Sequence, residues 1–393
     1  MNIIDYLRKN TNKEINANIV NKIMQLAYIC EDKIGEGFFG KVYTPLISSI
    51  ATVVVSDKLT LRFPIVVKES KHTEGKFHIY NSKKRMYLYS DRDLTAESLI
   101  LFFISKFWYD TIFPYGPFLV SIHWCNNNQN VLIDRLVTQR HGYMETVVTD
   151  HKGIQFVGTY HKSFNKLETI GTLFEAGFNK CDSDYNFTLD LYETKLKFNI
   201  VELVNYVILH FLVAVDYCDN KGLVLTDQHL DNIFISWISV DMIHVGSKYM
   251  RDVTDIYYKL GDGLVIKAPL RDILIKLGDI GSSVLKLKKD LWILGDVISE
   301  DDIASHVEKY FEQYVPSYMT ALSGLRDILP HKVFNDSILN DIYTDKHISK
   351  YTHSTGYVEP HKFPTANDIL RKYFTQYIVK NYPTDSNSVF LIK

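Results

Sequence analysis

The feature that most constrains the fold is a long apolar segment followed at once by a short polar loop. Residues 199–218 read NIVELVNYVILHFLVAVDYC, and the run ends at a Lys221-Gly222 pair, which is typical of a helix C-terminus. A short strand-like stretch then leads to the pattern D-x-x-x-x-N at Asp227 and Asn232, and the apolar residues IFISWISV follow directly. An ordinary polar turn supplies D-x-x-x-x-N by chance, but rarely in this setting.

Composition sets the class of protein. The 393 residues are 46% apolar and 13% aromatic, enough for a substantial core in one large domain or two packed ones, and this excludes a disordered chain. The formal net charge of −2 gives no global attraction to nucleic acid or anionic lipid, and the basic stretch Lys286–Lys289 is expected to be solvated surface. We therefore expect neither nucleic acid nor a membrane as a partner.

Cysteine usage and the N-terminus bear on the compartment. Cys30, Cys125, Cys181 and Cys218 form no paired spacing with each other or with the 14 histidines, which indicates reduced, structural cysteines rather than disulfides or a zinc site. The first residues lack the apolar core of a signal peptide, and no apolar run is expected to reach the roughly 18 to 20 residues of a membrane span. The sequence predicts an intracellular, soluble protein.

Hydrophobic periodicity predicts a β-rich first third. Residues 1–30 suggest one or two short helices, and the β-rich stretch 33–68 predicts an antiparallel sheet. Residues 93–109 are too apolar for an exposed helix and predict a buried one. Two strand-like runs, 118–124 and 130–137, close this region.

The remainder is predicted to be largely helical. Residues 138–198 are polar with little clear period, and the stretch 257–269 predicts a hairpin around residues 261–263. A strand is predicted over 273–277, and helical patterns dominate from about residue 290 to the end.

A glycine-rich motif lies between strand-like residues. Residues 35–42 read GEGFFGKV, which places Gly35, Gly37, Gly40 and Val42 in the pattern G-x-G-x-x-G-x-V. Glycines let the backbone approach phosphates closely and leave amide donors free for them. A glycine turn in a hairpin explains this motif equally well by itself. A dinucleotide-binding fold requires a helix directly after the glycines, whereas here the chain continues as strand, which favours a loop that covers nucleotide phosphates.

A lysine and a glutamate are candidates for an ion pair. Lys68 ends the apolar run 65–68, where a lysine can neutralise the α and β phosphates of ATP. Glu97 is its natural partner, because a carboxylate would hold the ammonium in place within a desolvated cleft. Taken singly, each residue has a plain alternative, a surface lysine at a strand end and a first-turn glutamate.

Three polar residues are candidates for acceptor and metal chemistry. Asp227 would orient an attacking hydroxyl and accept its proton, while Asn232 would ligate Mg²⁺. Asp279, in Asp279-Ile280-Gly281, follows an apolar strand and suits a metal ligand that bridges ATP phosphates. A β-turn is the commoner explanation of this tripeptide alone. Joint occurrence of all these residues in one order is what favours the nucleotide interpretation.

From Gly35 to Gly281, these residues resemble the protein kinase superfamily. The resemblance implies an α+β, bilobal protein-kinase-like fold with a β-rich N-lobe and a mainly helical C-lobe. It divides the chain into an N-terminal helical extension (1–30), an N-lobe (31–138) and a C-lobe (139–393) with inserts near 139–198 and 238–270.

The resemblance also assigns roles by position. The VAIK lysine, the helix glutamate, the catalytic-loop aspartate and asparagine, and the DFG aspartate of the family fall, in order, on Lys68, Glu97, Asp227, Asn232 and Asp279. The hinge that contacts adenine falls near 134–136, so that Asp134 and Leu136 join the nucleotide site. ATP and Mg²⁺ are the implied cofactors.

The catalytic loop departs from the family pattern. Leu225-Thr226-Asp227 replaces His-Arg-Asp, so the arginine that receives an activation-loop phosphate is absent, and control by that phosphate is not expected. His229 stands where the family has lysine, as in the D-x-H-x-x-N loop of haspin-like kinases and many kinases of large DNA viruses. We expect His229 to contact the γ-phosphate.

The segment after Asp279 departs further. The phenylalanine of DFG is Ile280, and no Ala-Pro-Glu motif follows. Residues 290–295 resemble the Asp-x-Trp-x-Leu-Gly start of the helix that anchors the catalytic loop, although they follow Gly281 very closely. Either the activation segment is nearly deleted, or this helix starts later, near Asp301.

Three functions are consistent with these residues. The leading one is transfer of the γ-phosphoryl group of ATP to Ser or Thr hydroxyls of a protein substrate. The others are a pseudokinase that acts as a nucleotide-binding scaffold or virion component, and a small-molecule kinase of the aminoglycoside or choline kinase type. The Asn-, Ile- and Tyr-rich composition and the long segment from Asn232 to Asp279 resemble kinases of nucleocytoplasmic large DNA viruses, such as iridoviruses. This implies the host cytoplasm, with the virion as an alternative location.

Overall fold

A computed structural model of the chain describes most of the residues between 30 and 392. The described parts are residues 30–36, 40–45, 50–56, 59–71, 76–81, 85–91, 94–110, 113–127, 130–139, 147–149, 155–157, 169–191, 194–238, 244–245, 248–249, 252–297, 303, 316, 318–345, 363–380 and 389–392. The predicted helical extension over residues 1–30 lies outside them, apart from Cys30, which begins a strand.

Strands occur along the whole described chain. They are β1 (Cys30–Glu36), β2 (Gly40–Pro45), β3 (Ile50–Ser56), β4 (Leu59–Ser70), β5 (Lys76–Asn81), β6 (Met86–Asp91), β7 (Leu119–Asn127), β8 (Asn130–Gln139), β9 (Val147–Thr149), β10 (Gln155–Val157), β11 (Asn186–Leu191), β12 (Thr194–Asn199), β13 (Leu223–Val224), β14 (Ile233–Trp237), β15 (His244–Val245), β16 (Lys248–Tyr249), β17 (Asp255–Gly261), β18 (Leu264–Pro269), β19 (Ile273–Leu277), β20 (Val284–Lys288), β21 (Leu291–Val297), β22 (Ile378–Val379) and β23 (Val389–Ile392).

Helices lie between and after these strands, so the α+β class is confirmed. They are α1 (Thr95–Asp110), α2 (Ile170–Lys180), α3 (Ile200–Asn220), α4 (Tyr318–Ile328), α5 (His331–Asp336), α6 (Ile338–Thr344) and α7 (Ala366–Tyr373). The predicted buried helix over 93–109 corresponds to α1, and the predicted helical pattern near the C-terminus corresponds to α4 to α7.

The predicted antiparallel sheet is confirmed. Strands β1, β2, β4, β8 and β7 pair in that order, and β3 pairs with the first half of the long strand β4. Val42 on β2 lies opposite Lys68 on β4, and Lys68 lies opposite Leu136 on β8. The strand after the glycine motif, the lysine strand and the predicted hinge strand are therefore direct neighbours.

The long apolar segment forms α3, which is the central core helix. Asn199 caps it by accepting hydrogen bonds from the backbone N–H groups of Val201 and Glu202, and it ends at Lys221 before Gly222, whose φ of 82° favours glycine. By length and composition α3 could cross a membrane, the one such helix among the described residues, which the sequence did not lead us to expect. Most of its residues are buried inside the protein, as a core helix requires.

Residues 290–297 correct a prediction. The sequence likeness suggested a helix start here, whereas residues 291–297 form β21, which pairs antiparallel with β20 and parallel with β6. Trp292 and Leu294 pack with Tyr87 and Tyr89 on one side of this sheet, while Ile293 joins the main core. An apolar run that is buried on both sides is a strand signature that resembles a buried helix over so short a length. The alternative helix start near Asp301 lies outside the described residues.

The polar stretch 138–198 contains elements that the sequence did not reveal. Helix α2 starts at Thr169, whose hydroxyl accepts from the backbone of Thr172 in a reciprocal capping box. Its buried residues, Ile170, Leu173, Phe174 and Gly177, have helical spacing, and this pattern by itself predicts a short helix. Strands β11 and β12 form a hairpin directly before α3.

The predicted hairpin around residues 261–263 is confirmed as β17 and β18. Asp262 and Gly263 both have positive φ, 53° and 74°, which is the backbone of a tight two-residue hairpin turn. Strands β22 and β23 complete a four-stranded sheet with this hairpin. Residues 378–379 and 389–392 are therefore strands, and the expectation of helix up to the C-terminus was wrong there.

Candidate active site

Lys68 and Glu97 form an ion pair. The Lys68 Nζ lies 2.6 Å from the Glu97 Oε2, and Glu97 lies in the first turn of α1. The glutamate is buried, and 18% of the lysine side chain is exposed. Burial raises the pKa of the Glu97 carboxyl, the Lys68 ammonium opposes that change, and the negative charge of Asp279 adds to it. The aspartate is therefore close enough to act on Glu97 electrostatically.

The glycine at the start of β2 lies against the same lysine. A Cβ built on Gly40 would be 2.7 Å from the Glu69 carbonyl oxygen and 3.2 Å from the Lys68 Cγ. Only glycine fits this approach without a shift of the β4 backbone. Gly35 pairs with Val42 across β1 and β2, while Gly37 lies outside the described residues.

The D-x-x-x-x-N loop is held by its own asparagine. The Asn232 Nδ2 donates to the Asp227 backbone carbonyl at 2.7 Å, and Asn232 is buried. Asp227 itself is exposed and follows the buried residues Leu225 and Thr226. The loop thus presents the Asp227 carboxylate to solvent on a fixed backbone, as an acceptor for the proton of an incoming hydroxyl requires.

Three hydrogen bonds join this loop to the Asp279 segment. The Gly278 N–H donates to the Asn232 carbonyl at 2.8 Å. The Gln228 Nε2 donates to the Gly278 carbonyl at 3.2 Å, and the Thr226 hydroxyl donates to the Ser282 carbonyl at 2.6 Å. The two loops therefore form one connected unit.

Asp279 has a backbone conformation that is uncommon for a residue with a side chain. Its φ of 38° and ψ of 55° are left-handed, and aspartate is one of the residues that tolerate this region. The preceding Gly278 admits no Cβ, since one would lie 2.0 Å from the Phe234 ring. Strand β19 thus ends in a sharp turn that leaves the Asp279 side chain exposed.

Asn232 and Asp279 fit the donor set of a Mg²⁺ site. Mg²⁺ binds through one or two protein oxygen donors and completes its shell with water and phosphate oxygens. The Gly278 N–H donates to the Asn232 carbonyl, so Asn232 lies on the backbone segment next to Asp279. Both the Asn232 and the Asp279 side chains can supply an oxygen ligand. Among the described residues no three His, Cys, Asp or Glu side chains gather as a metal site, which such a site does not require.

The remaining predicted site residues are placed only in part. His229 is half-exposed, and its Nδ1 lies 3.9 Å from the Asp231 Oδ2, so that its contact with a γ-phosphate stays a prediction. Asp134 and Leu136 lie on β8, next to the lysine strand, but the structure describes only their backbone.

The sequence did not identify the residues that support the loop. Thr226 and Gln228 are buried and join the two loops, and a Cβ built on Gly171 of α2 would lie 2.8 Å from the Asp231 Oδ1. The buried side chains at positions 226 and 228 alternate with the exposed Asp227, a period-2 pattern that could have marked them. The contact from α2 has no local signal, because 60 residues separate Gly171 from Asp231.

No protein-family model matches this chain, and no curated protein matches it. The kinase resemblance therefore depends on these residues and their geometry.

Proposed function

We propose that this protein is an ATP-dependent protein kinase that transfers the γ-phosphoryl group of ATP to Ser or Thr hydroxyls of proteins. The observation that carries the proposal is the ion pair between Lys68 and Glu97 within electrostatic reach of Asp279. If Lys68 were only a surface lysine, Glu97 only a first-turn glutamate and Asp279 only part of an Asp-x-Gly turn, the three would not be expected to lie close together. A phosphate site requires all three.

Each residue then has a defined part in the reaction. Lys68, oriented by Glu97, would bind the α and β phosphates. Asn232 and Asp279 would hold Mg²⁺, which would supply charge neutralisation at the phosphates. Asp227 orients the acceptor hydroxyl and takes its proton. The acceptor oxygen forms a bond to the γ-phosphorus while the bond to the ADP oxygen breaks. Catalysis depends on positioning and electrostatics, since no covalent enzyme intermediate is needed.

The proposal includes a bilobal architecture. Lys68 and Glu97 belong to the antiparallel sheet and α1, and Asp227 and Asp279 belong to the loops around α3. ATP would bind between these two groups. The strands β5 and β6, from the proposed N-lobe, share a sheet with β13, β20 and β21 of the proposed C-lobe, and they would connect the lobes on one side.

The test is phosphoryl transfer from γ-labelled ATP with Mg²⁺ to acidic and basic protein substrates. We expect the wild type to label protein and Asp227→Asn and Lys68→Met to lose that labelling. Lys259→Met and Asp262→Asn are matched controls, because both residues are exposed on the β17–β18 hairpin. Equal labelling by the wild type and the two site variants would overturn the proposal.

A nucleotide-binding scaffold is the second candidate. The observation that favours it is the short connection after Asp279. Strands β20 and β21 begin soon after this residue and occupy the part of the chain where a kinase has its peptide-binding activation segment. A scaffold would show thermal stabilisation by Mg·ATP that is lost in Asp279→Ala, without transfer to any substrate. A kinase would show both.

A further inference from the structure

Five cationic residues gather beside the β20–β21 hairpin. We call them the basic face, and they are Arg85, Lys221, Lys286, Lys288 and Lys289. The four lysines are exposed, and Arg85 is half-buried.

Two contacts and two backbone hydrogen bonds bring these residues together. The Arg85 guanidinium and the Lys286 ammonium lie 5.1 and 5.6 Å from the centre of the Trp292 ring, which attracts cations through its π face. The Lys286 N–H donates to the Gly222 carbonyl at 2.8 Å, which places the Lys221 backbone beside Lys286, while the Lys221 ammonium lies 5.5 Å from the centre of the Tyr217 ring. The Met86 N–H donates to the Asp290 carbonyl at 2.8 Å, so the hairpin turn with Lys288 and Lys289 lies next to Arg85.

The four lysines of the basic face have no acidic partner among the residues that the structure describes. Across the described parts of the chain, no salt bridge involves Lys221, Lys286, Lys288 or Lys289. Asp290, in the turn of the hairpin, forms no salt bridge with any of these four lysines. A surface with several unpaired lysines attracts acidic partners.

The basic face lies within a short distance of the proposed acceptor site. Strand β13 pairs with β20, with Val224 opposite Val284. Asp227 follows Val224 by three residues, and Lys286 follows Val284 by two. At about 3.3 Å per residue and about 5 Å between strands, the path from Asp227 to Lys286 is at most about 22 Å, which an extended peptide of about six residues spans.

We propose that the basic face binds an acidic segment of the protein substrate, about four to six residues away from the phosphorylated hydroxyl. This inference rests on the proposed kinase function and names its substrate class. A peptide fits better than nucleic acid, because duplex binding needs about six to ten phosphate contacts, and this face offers five cations on a chain of net charge −2. The basic face is confined to one hairpin and its immediate neighbours, an area that an acidic segment of a few residues can cover.

The test compares Ser peptides that carry four glutamates or four glutamines at increasing distance from the serine. We expect the wild type to prefer the glutamate peptides through a lower KM. Lys288→Glu/Lys289→Glu, which changes the exposed turn, should lower kcat/KM for those peptides about fivefold to tenfold and leave the glutamine peptides unchanged. Lys286→Glu/Lys288→Glu should do the same. Lys180→Glu/Lys197→Glu, two exposed lysines elsewhere, is the control with the same charge change.

Binding is measured separately, by fluorescence anisotropy of a labelled glutamate peptide and of a short DNA duplex. Peptide binding that weakens in both charge-reversal variants, but not in the control, supports the inference. Equal kcat/KM for glutamate and glutamine peptides, or tighter binding of the duplex than of the peptide, would overturn it and leave the kinase intact. If no peptide is phosphorylated, the proposed function fails, and the acidic-substrate inference fails with it.

Discussion

Gly295 lies directly against Gly281, so closely that a Cβ built on Gly295 would be 1.6 Å from the Gly281 carbonyl oxygen. The Gly295 N–H also donates to the Ser283 carbonyl at 3.0 Å. Strand β21 therefore supports the turn that follows Asp279, and it can do so because Gly295 carries no side chain. In the sequence, Gly295 is the last residue of a pattern that resembles a helix start, whereas the structure gives it this supporting contact.

Replacement of Gly295 should destabilise the protein and weaken the nucleotide site together. We expect Gly295→Ala to lower the free energy of unfolding by roughly 1–3 kcal/mol, because the new methyl overlaps backbone that cannot move without displacing Asp279. Urea unfolding measures this, and thermal shift with Mg·ATP measures the loss at the site. Gly324→Ala, within helix α4, is the control, since its nearest neighbour is the flexible Leu230 side chain at 3.2 Å. A Gly295→Ala protein as stable as the wild type would contradict the contact.

The ion pair between Lys68 and Glu97 should show strong coupling. Removal of either partner leaves a charge in a largely desolvated site, so Lys68→Met and Glu97→Gln should each reduce Mg·ATP binding. We expect the double variant to lose less than the sum of the single losses, with a coupling energy of about 1–3 kcal/mol in a double-mutant cycle of ATP affinity. Additive losses, measured by calorimetric titration, would show that the two residues act independently.

The hydroxyl of Thr226 should matter to the metal site although it touches no substrate. It donates to the Ser282 carbonyl in a buried place, so Thr226→Val should cost about 1 kcal/mol of stability and reduce the stabilisation by Mg·ATP. Thr344→Val is the matched control, because its hydroxyl makes an exposed bond to the Asn340 carbonyl far along the chain. If Mg·ATP stabilises both variants equally, the hydrogen bond from Thr226 to Ser282 does not contribute to nucleotide binding.

Acid should destabilise the protein through His210. This histidine is fully buried on α3, its Nε2 donates to the Pro269 carbonyl at 2.9 Å, and its Nδ1 accepts from the Tyr115 hydroxyl at 2.8 Å. Because the carbonyl can only accept, Nε2 carries the proton of the neutral ring and Nδ1 is the acceptor. Burial lowers the pKa of His210 to about 4.

The pH dependence follows from that lowered pKa. Between about pH 6.5 and pH 4 the unfolded chain binds the proton and the folded one does not. The contribution of His210 is thus complete above pH 6.5 and is lost as the pH falls toward 4, by about 3 kcal/mol in total. Urea unfolding at several pH values measures the slope, which should be smaller in His210→Gln. An equal slope in both proteins would show that other groups cause the acid sensitivity.

Much of the fold was predictable because its elements have local signals. The helix that became α3 has a cap, a continuous apolar run and a Lys-Gly end, and the β17–β18 hairpin has the Asp-Gly turn that such hairpins require. Helix α1 was equally clear from its apolar length. Each of these signals lies within about 20 residues of chain, which is the range that periodicity covers.

Other elements could not be assigned from local patterns. Strand β21 becomes a strand by pairing with β6, about 200 residues earlier in the chain, and its apolar residues alone are compatible with a helix. Helix α2 was missed inside a polar region, although its first turn lies against Asp231 of the D-x-x-x-x-N loop.

The sequence by itself determined which residues are candidates for phosphate, metal and hydroxyl chemistry, and their order along the chain. It left each candidate with an ordinary alternative, because a lysine at a strand end or an Asp-x-Gly turn is common by itself. Only the tertiary structure decided that Lys68 forms an ion pair with Glu97 and that the charge of Asp279 acts on Glu97. The physical reason is that burial of α1, α3 and their sheets brings together residues that are up to 211 positions apart, and no local pattern encodes such contacts.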